Sequence, residues 1–215
     1  MELISIALAR VVSLLDVPAV DPRGQTSTSE GIKLLAARYS FLKIPQTLEE
    51  MDFQKGVDLS VGTMGGINID KMTLFGNGIV VDTRSSTDDC DAVIKDLLGF
   101  VKESFGATVQ SARRMVLSNI TFSSNMQLAR LHPILGNIAD KVAASVSRDY
   151  GQSLIIEPSL VAIGIDLSQL KLQPSAFTVE RRADTPFFAN TYFSAAPIRT
   201  EDHLNLIQEF EAAIL

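Results

Sequence analysis

Apolar and polar residues alternate through residues 53–83, which is the pattern of strands that bury one face. Three apolar side chains fall on the same side of the first of these strands, at Val57, Leu59 and Val61. Glycine-bearing turns divide the segment at 65–66 and 76–78, and residues of the second turn tolerate the positive φ angles of a tight hairpin. The pattern therefore predicts an antiparallel meander, which requires a second layer to cover one face.

The segment at 87–105 has the apolar spacing of an amphipathic helix. Five apolar residues recur along it at helical intervals: Val93, Ile94, Leu97, Leu98 and Val101. Ser85, Ser86 and Thr87 supply hydroxyl groups for an N-cap, and Gly106 occupies the C′ position, at which glycine is favoured. We expect this helix to cover the meander.

Similar patterns predict the remaining elements. Longer strands are predicted at 3–17, 114–123, 177–181 and 191–195, and a short one at 41–44. The apolar runs at 154–156 and 160–165, on either side of Pro158, predict two short strands or one interrupted strand. Helices are predicted at 28–39 and 200–214, with a helical turn at 47–51. A helix over residues 7–15 is the alternative to the first strand, and Pro18 with residues 21–24 predicts a loop after it.

The longest helix is predicted over residues 126–149. Its apolar residues form one continuous stripe: Leu128, Leu131, Leu135, Ile138, Val142 and Val146. Pro133 fits only a first helical turn, so the helix either begins near His132 or kinks there. We expect the stripe to pack in the core rather than against a coiled-coil partner, because it covers fewer than three heptads.

These elements together predict an α+β fold, with an antiparallel or mixed sheet of about seven strands covered by three or four amphipathic helices. No stretch rich in Gly, Ser or Pro marks a linker, so residues 1–215 are predicted to form a single compact domain. Three helices open on similar triplets, at 28–30, 87–89 and 200–202. Duplication and ordinary helix capping both produce such triplets, and capping is the simpler explanation.

The composition excludes several classes of protein. A chain of 215 residues with 46% hydrophobic and 20% charged residues is typical of a folded globular protein. The single cysteine, Cys90, excludes an intramolecular disulfide and a multi-cysteine zinc site. Residues 1–10 lack the features of a secretory signal, and no window has the apolar length of a membrane span. We therefore expect a soluble, acidic, cytoplasmic protein with no membrane partner.

Acidic residues gather where the predicted strand ending near Asp82 leads into the helix at 87. Their oxygen ligands suit a divalent metal, and Arg84 suits an anion. One interpretation is therefore a metal-dependent hydrolase or phosphoryl-transfer enzyme whose catalytic residues are Asp82, Arg84, Asp88 and Asp89. Acidic residues in a first turn stabilise a helix by about 0.3–1 kcal/mol each regardless of function, so capping is the preferred interpretation.

The usual catalytic and phosphate-binding motifs are missing from the sequence. The two histidines, His132 and His203, have no metal-ligand spacing, and no glycine-rich phosphate loop or nucleophile elbow is present. We therefore predict no cofactor and no resident metal. A non-catalytic protein is favoured, with the enzyme as the alternative.

An aromatic loop near the C-terminus is the feature that folding alone explains least. Its rings either pack on the core or anchor a partner chain, and the candidate interface residues are Phe187, Phe188, Tyr192 and Phe193. We accordingly favour a protein-interaction module, self-assembling into an oligomer or serving as an accessory subunit of a larger cytosolic complex.

Nucleic-acid binding is the weakest of the three interpretations. Its candidate residues are two adjacent pairs: Arg113, Arg114, Arg181 and Arg182. A net charge of −6 opposes it, because a surface that contacts phosphates is usually basic overall.

Overall fold

The computed structural model describes residues 1–16, 28–106, 110–166, 168 and 174–215, and the loop predicted at Pro18 and 21–24 lies outside them. The described residues form eight strands and four α-helices. In chain order these are β1 (Glu2–Asp16), α1 (Thr28–Arg38), β2 (Val57–Met64), β3 (Ile67–Phe75), β4 (Gly78–Thr83), α2 (Thr87–Phe105), β5 (Gln110–Ser123), α3 (Pro133–Tyr150), β6 (Leu160–Ile163), β7 (Phe177–Arg181), β8 (Thr191–Ala196) and α4 (Thr200–Ile214). The strands form one antiparallel sheet in the order β2-β3-β4-β1-β5-β8-β7-β6, which confirms the predicted α+β class.

The order of elements repeats once along the chain. The series β1-α1-β2-β3-β4-α2 and the series β5-α3-β6-β7-β8-α4 have the same sequence of element types. In the sheet, each series also places its four strands in the order first, fourth, third, second. The triplets that open α2 and α4 occupy corresponding places in the two series, but α1 opens on a triplet whereas its counterpart α3 opens on Pro133. The repeated topology therefore does not decide between duplication and capping as the origin of the triplets.

The chain divides into two compact units. One contains residues 6–119 and 197–201, and the other contains residues 1–5, 120–196 and 202–215. The single domain predicted for residues 1–215 stays a prediction, because compactness does not show whether either unit folds alone. No described helix is both long enough and apolar enough to cross a membrane.

The predicted helix at 87–105 forms as α2 and has the predicted ends. Ser86 is its N-cap, and the Oγ of Ser86 accepts a hydrogen bond of 3.0 Å from the amide of Asp89. Gly106 has a φ of 71° and ends the helix by donating to the carbonyl of Lys102. The buried face of α2 contributes to the core that the meander β2-β3-β4 also forms, as predicted; its innermost residues are Val93, Ile94 and Leu97.

Most other long elements also have the predicted type. β1 is a strand and not the alternative helix over residues 7–15, and α1, α4, β7 and β8 end within a residue of their predicted bounds. Residues 41–44 form no strand, since Lys43 makes only an isolated bridge to Ser60. Of the segments predicted at 154–156 and 160–165, only the second contains a strand.

Val61 departs from the predicted alternation in β2. The expectation that it shares a buried side with Val57 and Leu59 is wrong, because those two residues are fully buried and Val61 is 47% exposed. Its φ of 59° lies in the left-handed region that β-branched residues rarely adopt. In this conformation its carbonyl accepts a hydrogen bond of 3.0 Å from the amide of Leu42. A tertiary hydrogen bond thus accompanies a backbone conformation that the side chain disfavours.

The glycine-bearing hairpin turns form where predicted, but only one of them uses positive φ. The two glycines between β2 and β3 have φ angles of 53° and 90°. No residue at 76–78 has a positive φ, so that part of the prediction is wrong. There the amide of Gly76 donates to Phe53 at 3.0 Å, and the carbonyl of Asn77 accepts from Leu15 at 2.9 Å. Hydrogen bonds to neighbouring segments therefore hold this turn.

α3 begins at the proline, which is one of the two predicted alternatives. A short 3-10 helix at Leu128–Leu131 precedes it, and His132 is the N-cap. The Nδ1 atom of His132 accepts a hydrogen bond of 3.2 Å from the amide of Ile134. The chain thus has two helical segments with a break between them, and not one kinked helix.

Candidate functional site

Asp82 lies on β4 directly opposite Arg10 of β1. Two guanidinium nitrogens of Arg10 donate to the two carboxylate oxygens of Asp82, each at 2.7 Å. The carboxylate is buried, and its hydrogen bonds raise the pKa of Arg10. Because Arg10 binds both oxygens of Asp82 in a bidentate pair, this carboxylate connects β4 to β1.

The acidic first turn of α2 is bound by arginines from elsewhere in the same unit. Arg199 donates to Asp88 at 2.6 Å and to Asp91 at 2.9 Å. Arg114 donates to the second oxygen of Asp91 at 2.8 Å. Hydrogen bonding to Asp91 is the largest cause of a raised pKa at Arg199. Asp91 is therefore the centre of this ion-pair cluster.

Thr87 and Thr200 exchange hydrogen bonds beside this cluster. The hydroxyl oxygen of each accepts from the backbone amide of the other, both at 3.1 Å. Both residues are at most 3% exposed. Each threonine therefore accepts a hydrogen bond from an amide at the start of the other's helix. Both amides are buried, so water does not supply this hydrogen bond.

The four predicted catalytic residues do not form one constellation. Arg84 binds Asp70 on β3 at 2.7 Å, and the amide of Asp89 serves the N-cap. Within the described ranges, no group of three or more His, Cys, Asp or Glu residues is arranged to hold a metal ion. The geometry supports a structural role for this corner, and the metal-dependent enzyme stays an alternative prediction.

Cys90 and His203 are buried in separate units and take part in internal hydrogen bonds. The Sγ of Cys90 donates to the carbonyl of Ala9 at 3.3 Å, and burial raises the pKa of this thiol to about 11. The Nε2 of His203 lies 2.8 Å from the Oγ of Ser194, and that hydroxyl lies 2.6 Å from the carbonyl of Thr178. Both His203 and Ser194 are fully buried, so a substrate has no access to this pair.

Arg181 contacts the aromatic loop and holds it against the neighbouring strands. The guanidinium carbon of Arg181 lies 4.9 Å from the ring centre of Phe187 and 5.1 Å from that of Tyr192. Arg181 also donates to the carbonyl of Phe187 at 3.1 Å and to Glu157 at 2.8 Å. Tyr192 stacks on Phe122 with ring centres 5.6 Å apart. Cation–π contacts and stacking therefore hold one side of this loop in the core.

The four predicted interface rings consequently differ in accessibility. Tyr192 is fully buried, Phe187 and Phe193 are half-buried, and Phe188 is 87% exposed. An interface formed by this loop stays a prediction, and Phe188 is the member whose ring is open to a partner.

The two arginine pairs do not form a basic patch. Arg114 is bound to Asp91, Arg181 to Glu157, and Arg182 to Asp184. Arg113 is exposed. Carboxylates thus neutralise most of the positive charge on which nucleic-acid binding would depend.

The largest departure from the sequence interpretation is the apolar stripe of α3. The expectation that it packs in the core holds for Leu128, which is 2% exposed, and Val146 is half-buried, but it is wrong for the four residues between them. Five large apolar residues are between 39% and 57% exposed, and we call them the α3 apolar face: Leu131, Ile134, Leu135, Ile138 and Val142. Among the α3 side chains that the structure describes, only Ala139 is buried.

A second pattern in the same helix indicates why the large residues face solvent. Small residues recur at intervals of three and four, at Gly136, Ala139, Ala143 and Ser147, and these positions are buried or half-buried. The small residues therefore form the inward side of α3, and the adjacent large ones point outward. This small-residue stripe is the sequence signal that would have indicated the orientation.

Comparison with known proteins adds no functional assignment. No family model matches the sequence, and no curated protein matches it either. The α3 apolar face is therefore the feature of the described chain that carries the functional proposal.

Proposed function

We propose that this chain is a non-catalytic protein-interaction module of the cytosol that binds another protein chain through the α3 apolar face. The observation that carries the proposal is the exposure of five large apolar side chains, four on α3 and Leu131 at the end of the 3-10 helix before it. With about 200 Å² for a fully exposed large side chain, they present on the order of 400 Å² of apolar surface. Patches of this size on soluble proteins are often binding sites.

The helix geometry gives this surface a defined form. Leu135, Ile138 and Val142 are spaced by three and four residues, so they lie in a row along α3. Asn137, Asp140 and Lys141 are exposed beside that row. An apolar row with a polar rim is the arrangement by which an amphipathic helix docks against a partner.

Site-specific crosslinking in cells that produce the protein tests the proposal. A photoreactive residue placed at Leu135 is expected to form a discrete adduct with another chain. The matched control is Lys33 on α1, the repeat counterpart of α3, because Lys33 is exposed on a helix whose Ile32 and Leu35 are buried and which has a single exposed large apolar residue, Leu34, in place of a row. An adduct of twice the 23.3 kDa chain mass indicates a second copy, and any other discrete mass indicates a different subunit.

An Ile138→Gln substitution on the same crosslinking chain is expected to remove the adduct, because it places a polar group in the middle of the row. An equal yield of adduct from Leu135 and Lys33, or an adduct that Ile138→Gln leaves intact, contradicts the proposal.

A further inference from the structure

The β2 edge of the sheet is covered by a neighbouring segment of the chain. The amides of Leu42 and Lys43 donate to carbonyls of Val61 and Ser60 at 3.0 and 3.1 Å. In return, the amide of Ser60 donates to Lys43 at 2.9 Å, and that of Thr63 donates to Tyr39 at 2.7 Å. This edge therefore has little backbone left for another strand.

The β6 edge at the other end of the strand order is different. β6 pairs with β7 on one side, and no described backbone group pairs with its other side. The strand and the two residues after it, Leu160 to Ile165, contain no charged residue and no proline. Leu160 is 53% exposed and Ile163 is 61% exposed. The charges and prolines that usually protect an edge strand are thus absent from it.

The hydrogen bonds to β7 fix which β6 groups face outward. The amide of Arg181 donates to the carbonyl of Ser159 at 2.8 Å, so Ser159 and the residues at two-residue intervals after it face β7. The N–H and C=O groups of Leu160, Ala162 and Gly164 therefore point to the open edge.

We propose that the open edge of β6 pairs antiparallel with β6 of a second copy of the chain. This inference goes beyond the proposed function, because it uses a surface other than the α3 apolar face. A two-fold axis at Ala162 brings Leu160 opposite Gly164 of the second copy and uses every outward backbone group of these three residues. The same register places Val161 opposite Ile163 of the second copy, a favourable β-branched pair.

Charge favours a second copy as the occupant. Self-pairing of an uncharged strand places no like charges opposite one another and buries no unpaired charge. The strand is short, so we expect a weak, concentration-dependent dimer.

Sedimentation velocity over a wide range of protein concentration tests this pairing. The wild-type chain is expected to form a reversible dimer. Ala162→Lys places a charge on the open edge and is expected to weaken dimerisation by at least about tenfold. The matched control is Thr178→Lys, which adds the same charge at the position on β7 that pairs with Ala162 and is expected to dimerise like the wild type.

A wild-type chain that stays monomeric, or a dimer that Ala162→Lys leaves intact, overturns the inference. The two proposals fail separately. A Leu135 adduct that persists in Ala162→Lys supports the α3 apolar face whatever happens at β6. Conversely, Ile138→Gln leaves a β6 dimer intact, and a dimer that it abolishes overturns β6 pairing as the mode of association.

Discussion

Cys90 shows how burial decides the chemistry of one side chain. The start of a helix ordinarily lowers the pKa of a thiol, yet desolvation by burial raises that of Cys90 to about 11. We expect a thiol-specific reagent at neutral pH to leave the folded chain unmodified and to modify it completely in urea. Labelling of the folded chain at the rate of a free thiol would contradict this.

The same pKa shift predicts a dependence of stability on pH. The unfolded thiol loses its proton near its ordinary pKa of 9.0, whereas the folded thiol keeps it until about 11. The contribution is therefore complete below pH 9.0 and is lost as pH rises toward 11. Thermal denaturation across this interval is expected to show a steeper loss of stability for the wild type than for Cys90→Ala. Parallel curves would refute the assignment.

A substitution at Asp82 distinguishes a structural carboxylate from a metal ligand. Asp82→Asn leaves Arg10 without its ionic partner, and we expect the free energy of unfolding to fall by about 1–3 kcal/mol. Asp70→Asn, which removes the exposed partner of Arg84, is the matched control and is expected to cost less than about 0.5 kcal/mol.

Magnesium makes this experiment a test of the enzyme alternative as well. We expect the melting temperature of the wild-type chain to be unaffected by Mg²⁺. A rise with Mg²⁺ that Asp82→Asn abolishes would instead favour the metal-dependent enzyme.

Val61 has a β-branched side chain at a φ of 59°. Asparagine adopts the left-handed conformation at less cost, so Val61→Asn is expected to stabilise the chain by about 1 kcal/mol in urea denaturation. Thr63→Asn introduces the same side chain at a described β2 position without positive φ and is expected to change stability by less than about 0.5 kcal/mol. A loss of stability in Val61→Asn would show that the valine side chain contributes more than its strain costs.

α3 differs from α2 in what its apolar residues stabilise. Leu135→Gln and Ile138→Gln remove side chains that are 41% and 51% exposed, so each is expected to change the free energy of unfolding by less than about 0.5 kcal/mol. Ile94→Ala on α2 removes a fully buried side chain and is expected to cost about 2–5 kcal/mol. Comparable losses on the two helices would place the α3 stripe in a core.

Local signals were sufficient to predict α2, because its hydroxyl cap, apolar spacing and terminal glycine all lie within one short segment. They were not sufficient for α3, because periodicity located the large stripe without showing that the small residues beside it face the protein. The ion pair of Arg199 with Asp91 joins residues 108 positions apart, and no local pattern indicates it. The left-handed Val61 likewise depends on a hydrogen bond from Leu42.

The repeated order of elements bears on how the whole chain unfolds. Two strands, β1 and β5, each contribute residues to both compact units, so each unit contains only part of these two strands. We therefore expect a single cooperative transition in urea, which would confirm the single domain predicted for residues 1–215.

Hydrogen exchange measured by mass spectrometry at increasing urea concentration checks this, with peptides from β4 reporting on one unit and peptides from β8 reporting on the other. The two sets of peptides are expected to lose half of their protection at the same urea concentration. Separate midpoints would identify two domains.

The covered edge at β2 limits how far copies of this chain can add to one another. A growing fibre needs two unpaired sheet edges on every subunit, and here the segment that contains Leu42 and Lys43 already pairs with one of them. Addition through β6 therefore terminates after one step, and a higher concentration yields more pairs without yielding longer polymers. Removing that protective segment would turn a self-limiting pair into a seed for filaments.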